Sequence, residues 1–127
     1  EAFAAYNAHA IKPGTGVVVR YEGPKGGPGM KELHRVTEIM KGIPDSAVIT
    51  DGRFSGASGG LSVGYLCPEA FDGGAIALVR AGDEIHVDLS KNLIELHVSD
   101  EELEKRRVSW KPFMRTEGIC SSVMRSR

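Results

Sequence analysis

Two short apolar runs each open directly into a glycine-rich loop, and this pairing constrains the fold more than any other feature of the chain. Val17-Val-Val19 precedes Tyr21-Glu-Gly-Pro-Lys-Gly-Gly-Pro-Gly-Met30, and Ala47-Val-Ile49 precedes Thr50-Asp-Gly-Arg-Phe-Ser-Gly-Ala-Ser-Gly-Gly60. Glycine permits positive φ and lets backbone approach a ligand closely. Plain turns rarely need so many glycines together, so the two loops read as parts of a site.

Around these loops the pattern is rich in β-structure. Residues 17–21, 46–50, 75–79, 84–88 and 93–98 read as strands. The last two alternate apolar with polar residues, and Leu89-Ser-Lys-Asn92 between them supplies turn chemistry. A hairpin over 84–98 at a sheet edge is expected. Ala81-Gly-Asp83 should link strand 75–79 to it. Leu33, Val36, Ile39 and Met40 share one side of an expected helix over 31–41. Ser99-Asp-Glu-Glu102 is a capping box, with Lys105-Arg-Arg107 at the far end, and predicts a second helix over 99–107. Pro68-Glu-Ala-Phe71 suits one further helical turn. From Val108 onward no periodicity is visible, so residues 108–127 are expected to be irregular, leaving a core of 11–107. Short strands, few helices and glycine-rich turns favour a mainly β barrel or sandwich with flanking helices.

The chain has 127 residues and a formal net charge of −1, with both signs interspersed. That is one domain, with nothing to draw it to nucleic acid or a membrane surface. No apolar run approaches the roughly 18 to 20 residues needed to span a bilayer. The first residues lack the basic and apolar regions of a signal peptide. Absence of an initiator methionine suggests a piece of a longer chain. Cys67 and Cys120 lie far apart without metal-type spacing, and read as reduced cytosolic thiols.

Read from the residues alone, Gly26-Gly-Pro-Gly29 ahead of a helix is a loop for an anionic ligand. It matches neither a P-loop nor a Gly-x-Gly-x-x-Gly turn. The ordered series Arg20 to Met30, Ile49-Thr-Asp-Gly-Arg-Phe-Ser-Gly56, Pro68-Glu-Ala70 with Gly73-Gly74, and Val98 to Leu103 goes further. Over roughly 11–107 it closely resembles the C-terminal domain of the dihydroxy-acid dehydratase family, which also includes phosphogluconate and other sugar-acid dehydratases.

The resemblance implies a β-barrel-like swivelling domain, α/β in class, that accompanies a larger N-terminal domain carrying an iron–sulfur cluster (2Fe-2S or 4Fe-4S). It implies loss of water from a 2,3-dihydroxy acid, or in the sugar-acid branch an aldonate, to give a 2-keto acid. The parent enzyme would be a cytoplasmic homodimer in branched-chain amino acid biosynthesis, and this part alone would be inactive. A non-catalytic ligand-binding module of the same fold is the other reading. By resemblance Ser55 is the base at C2 and Glu32 the magnesium ligand, while Glu22, the more conspicuous carboxylate, orders the loop, paired with Arg20 or Lys25. Arg53, Gly56 and Lys25 fall to substrate binding, and Asp51 either holds the serine loop or meets the substrate carboxylate. His9, His34, His86 and His97 have no assigned role, and neither cysteine is a cluster ligand. The connection from the first loop to Ile49 is short for the family.

Overall fold

The computed structural model describes residues 12–30, 33–55, 60–112 and the backbone of 121–126. In chain order these form β1 (Thr15–Val19), α1 (His34–Met40), β2 (Ala47–Thr50), β3 (Leu61–Val63), a 3-10 turn (Ala70–Asp72), α2 (Ala75–Leu78), β4 (Glu84–Asp88), β5 (Leu93–Leu96), α3 (Asp100–Ser109) and β6 (Ser121–Ser126). The strands make one mixed sheet in the order β3-β2-β1-β6-β4-β5. β1, β2 and β3 are parallel neighbours, β6 runs antiparallel to β1, and β4–β5 is an antiparallel hairpin.

β1 is buried on both faces, as its unbroken apolar run requires. Val17 and Val19 face one way and meet Val48, Leu33, Val36 and Met40, so α1 covers that face with the side predicted for it. Val18 faces the other way, with Ala47 and Ile49, against Ala70, Ile76, Ala77, Val79 and Ile85. Leu61 and Val63 from one edge and Ile94 and Leu96 from the other pack on this same cluster. The sheet therefore curls around a shared core, but its edges β3 and β5 do not pair, and no barrel closes among the described residues.

Three elements differ from expectation. Residues 75–79, read as a strand, contain α2 instead. A four-residue helix leaves its last carbonyls without intrahelical partners. Here Arg20 Nη1 donates to the carbonyls of Ile76, Ala77 and Val79 at 3.4, 2.8 and 2.8 Å, and Arg106 Nη1 to that of Leu78 at 3.0 Å. Distant arginines thus finish a helix that local propensity does not favour. Gly82, at φ +93°, then turns the chain from α2 into β4. The second difference is the tail, where 121–126 form β6 between β1 and β4, in register Val17↔Val123 and Glu84↔Arg125. Third, the unexpected β3 extends the parallel half of the sheet.

The hairpin and α3 follow the sequence. Asp88 Oδ1 accepts from the Ser90 and Lys91 N–H groups in the turn, at 3.0 and 3.2 Å. Ser99 Oγ accepts from Glu102 N at 3.3 Å, forming the predicted cap.

Candidate functional site at the carboxyl ends of the parallel strands

Because β1, β2 and β3 point the same way, the loops that leave Val19, Thr50 and Val63 emerge from one edge. Ligand sites of open α/β sheets form at this edge. Both glycine-rich loops lie there, and a third segment, residues 64–69, joins them.

Two buried carboxylates organise the three segments. Asp51 is 3% exposed, and its oxygens accept from Tyr21 N (3.1 Å), Glu22 N (3.0 Å) and Ala70 N (2.8 Å). All three partners are main-chain donors, so Asp51 holds the loops together. The expected role of holding the serine loop is thus met by these three bonds. Gly52 follows because a Cβ there would stand 2.7 Å from Glu22 Cβ and 2.9 Å from Glu22 O.

Glu69, also buried, accepts from Lys25 N at 3.2–3.3 Å and Gly26 N at 3.1 Å. The first loop does present amides to an anion, as its glycines suggested, but the anion is the chain's own Glu69. A free ligand is not needed to explain that loop. Sequence reasoning assigned Glu69 no role; the available signal was an acid embedded between Pro68 and Ala70 ahead of an apolar stretch.

Lys25, expected to bind substrate, directs its ammonium to Asp72, 2.8 Å away, and this hydrogen bond raises its pKa. The Lys25 ammonium thus meets Asp72, while Arg20 Nη1 also reaches the α2 carbonyls. Glu22 itself is 5% exposed, in keeping with an ordering role. Arg53 is exposed, and its Nε donates to Met30 O at 2.7 Å. This bond ties the serine loop to the end of the first loop, two residues ahead of Glu32 in sequence. Ser55 follows on the same loop, half-buried. Glu32, Gly56, His9 and Cys120 lie outside the described residues.

Further along, Tyr65 N donates to Gly52 O at 2.8 Å and Leu66 N to Thr50 O at 3.2 Å, fastening the third segment to the serine loop. Tyr21, at φ +63°, places its hydroxyl 2.8 Å from Trp110 Nε1, which anchors the end of α3 to the first loop. Cys67 is exposed, with its thiol donating to Tyr65 O. Among the described residues no three His, Cys, Asp or Glu side chains converge on a point that could hold a metal ion. His34 opens α1, and His86 and His97 belong to the hairpin, where their rings stack at 5.9 Å.

Residues 1–126 match the family described as dihydroxy-acid/6-phosphogluconate dehydratase C-terminal. The chain belongs to this family. Relatives include proteins named dihydroxy-acid dehydratase from Pyrococcus furiosus, 55% identical over 115 residues, and Sulfurimonas denitrificans, 50% identical over 116. Another, from Nitrosomonas eutropha, is 53% identical over 105 residues. These alignments take in 88%, 89% and 80% of the chain but only 21%, 21% and 19% of the relatives. The dehydratase C-terminal domain described here therefore spans about a fifth of those proteins. Its two glycine-rich loops, which carry the motifs, are the parts locked together by Asp51, Glu69 and Arg53.

Proposed function

We propose that this chain is the C-terminal part of a hydro-lyase that converts a 2,3-dihydroxy acid to a 2-keto acid in branched-chain amino acid biosynthesis. Ser55 takes the C2 proton. The observation that carries the reading is the fastening of the Ser55 loop to the first loop, through Asp51 inside and Arg53 outside, at the carboxyl edge of three parallel strands. A serine hydroxyl is a weak acid and needs positive charge nearby to act as a base. Arg53 brings one guanidinium to the same loop, and its terminal nitrogens suit a substrate carboxylate.

Glu32 is the magnesium ligand in this proposal. Magnesium takes hard oxygen donors and keeps several waters, so a single carboxylate from this part is chemically sufficient. Bound there, the ion would supply charge that favours the serine alkoxide. An iron–sulfur cluster does not fit the described residues, whose one thiol, Cys67, is exposed. Its ligands belong to the N-terminal domain in this reading, and no step is assigned to it here. The same reading makes the parent a cytoplasmic homodimer, inactive without that domain. Gly56 and Lys25 complete the substrate-side loops.

The test uses the full-length enzyme. Ser55→Ala should lower turnover of 2,3-dihydroxy-3-methylbutanoate about 100- to 10,000-fold, the usual worth of a positioned base. Near-normal activity would remove the assignment. A substrate panel that includes aldonates and phosphogluconate separates the two branches, and faster turnover of a sugar acid would replace the substrate proposed. The 127-residue chain alone should show no turnover, and activity there would overturn the division of labour.

A further inference from the structure

Glu69 carries a buried carboxylate to which the reaction proposed above gives no part. It is 7% exposed, and its oxygens accept from the successive N–H groups of Lys25 (3.2–3.3 Å) and Gly26 (3.1 Å). Successive main-chain amides of this kind form a concavity for an anion. The fit leaves no slack, since a Cβ at Gly23 would stand 2.3 Å from Glu69 Oε2. The Lys25 ammonium bonds Asp72 instead, so main-chain N–H groups are what the Glu69 carboxylate meets.

The Glu69 backbone is itself fixed. Its carbonyl accepts from Asp72 N at 3.0 Å and Gly74 N at 3.1 Å, and the next N–H, that of Ala70, donates to Asp51. On the loop side a run of hydrogen bonds leads away from the carboxylate. Gly27 N donates to Gly23 O at 2.8 Å and Met30 N to Gly27 O at 2.9 Å, while Met30 O accepts from Arg53 Nε at 2.7 Å. Glu69 thus stands at one end of a bonded path, and Arg53 of the serine loop stands at the other.

We infer that Glu69 is a positioning residue, a built-in anion that sets the first loop and, through Met30, the Arg53 part of the serine loop. Its effect on turnover rests on the dehydratase reading above; its effect on the loop does not. Truncation of Glu69 at Cβ removes one CH2 and the carboxylate, the outline of an acetate ion. The amides of Lys25 and Gly26 then form an open site for a small free carboxylate.

The experiment uses the full-length enzyme with 2,3-dihydroxy-3-methylbutanoate, following kcat, KM and Tm in sodium acetate and in sodium chloride of equal ionic strength. Glu69→Ala should lower kcat about 100-fold, the cost of an ångström-scale misplacement, with KM changed much less. Acetate should raise both kcat and Tm of this variant, by binding the folded state, and chloride should raise neither. Glu69→Gln keeps the site filled, so it should lose only about fivefold in kcat, the difference between a charged and a neutral acceptor, and gain nothing from acetate. Unchanged kcat in Glu69→Gln overturns the role, and decides alone if Glu69→Ala does not fold. A lowered Tm with kcat intact in Glu69→Ala also overturns it, and leaves Glu69 as packing. Equal responses to acetate and chloride overturn the anion site. If the unsubstituted enzyme turns over no dihydroxy acid, the dehydratase reading fails, whereas an acetate-specific rise in the Tm of Glu69→Ala still upholds the anion site.

Discussion

Asp51 and Asp83 are both withdrawn from water, yet Asp51 takes main-chain donors alone while Asp83 adds a guanidinium to a single main-chain N–H, from Arg80. At the carboxyl edge of β1–β3, Asp51 accepts only main-chain N–H groups, two from the first loop and one from Ala70. Under α3, Asp83 meets the Arg106 guanidinium with both oxygens, and Arg106 also bonds Leu78 O and Glu102. Amide donors are fixed in the backbone, so Asp51 dictates loop shape. A guanidinium arrives on a long side chain, so Asp83 fastens one finished element to another. Loops that must present chemistry are ordered by the first device, and a peripheral helix with no buried residues is held by the second.

The hardest test of that contrast lies where loop backbone packs on loop backbone. A Cβ at Gly74 would lie 1.8 Å from Pro68 O. Gly74→Ala should cost more than about 4 kcal/mol, in the range reserved for strain and broken networks, measured by denaturant unfolding. A loss below 1 kcal/mol would mean that the segment carrying Glu69 is less constrained than the site requires.

Asp51→Ala comes next, since it strands buried amides that each cost about 1–3 kcal/mol when unsatisfied. A total near 3–5 kcal/mol is expected, together with faster hydrogen exchange at Tyr21, Glu22 and Ala70. Loss of stability without faster exchange at these amides would break the distinction between shaping and fastening.

Asp83→Ala should cost about 2–3 kcal/mol, less than a fully buried pair because both side chains keep some exposure. Its pH dependence sharpens the comparison. Burial alone pushes the Asp83 carboxyl up, but the Arg106 hydrogen bond, the Arg80 N–H and both positive charges outweigh it and hold it below the usual value. A depressed folded pKa stabilises above the unfolded value of about 3.9. That contribution is lost as pH falls through the folded value. Asp83→Asn should therefore flatten the acid limb of the stability curve, and an unchanged limb would show that the pair is not what titrates.

The smallest effect belongs to Ser99→Ala, about 0.5–1 kcal/mol from a lost N-cap on an exposed helix. It should leave activity of the full-length enzyme untouched, because α3 serves as a fastened element rather than a shaped loop.

Where the controlling interactions are close in sequence, the chain was readable. The α3 cap spans three residues, and α1 shows its apolar side within two turns. The β4–β5 hairpin is closed by an aspartate and the two residues after its neighbour. Ser55, Arg53 and Asp51 stood out because the motif Asp-Gly-Arg-Phe-Ser-Gly that carries the family resemblance is contiguous. Glu69 did not, because its partners Lys25 and Gly26 are more than forty residues away. Nor did α2, whose carbonyls are satisfied by Arg20 and Arg106 from other parts of the chain.

By itself the sequence determined β1, β2, β4, β5 and the two glycine-rich loops, since these rest on local pattern, while the family and the residues proposed for chemistry came from the resemblance of its ordered motifs. Tertiary structure alone decided that Glu69 fills the first loop's amides, that Asp51 is a tie, that 75–78 is helical, and that β6 completes the sheet. Each of those outcomes depends on which groups meet across long separations, and a buried amide or carbonyl takes the partner the fold delivers to it.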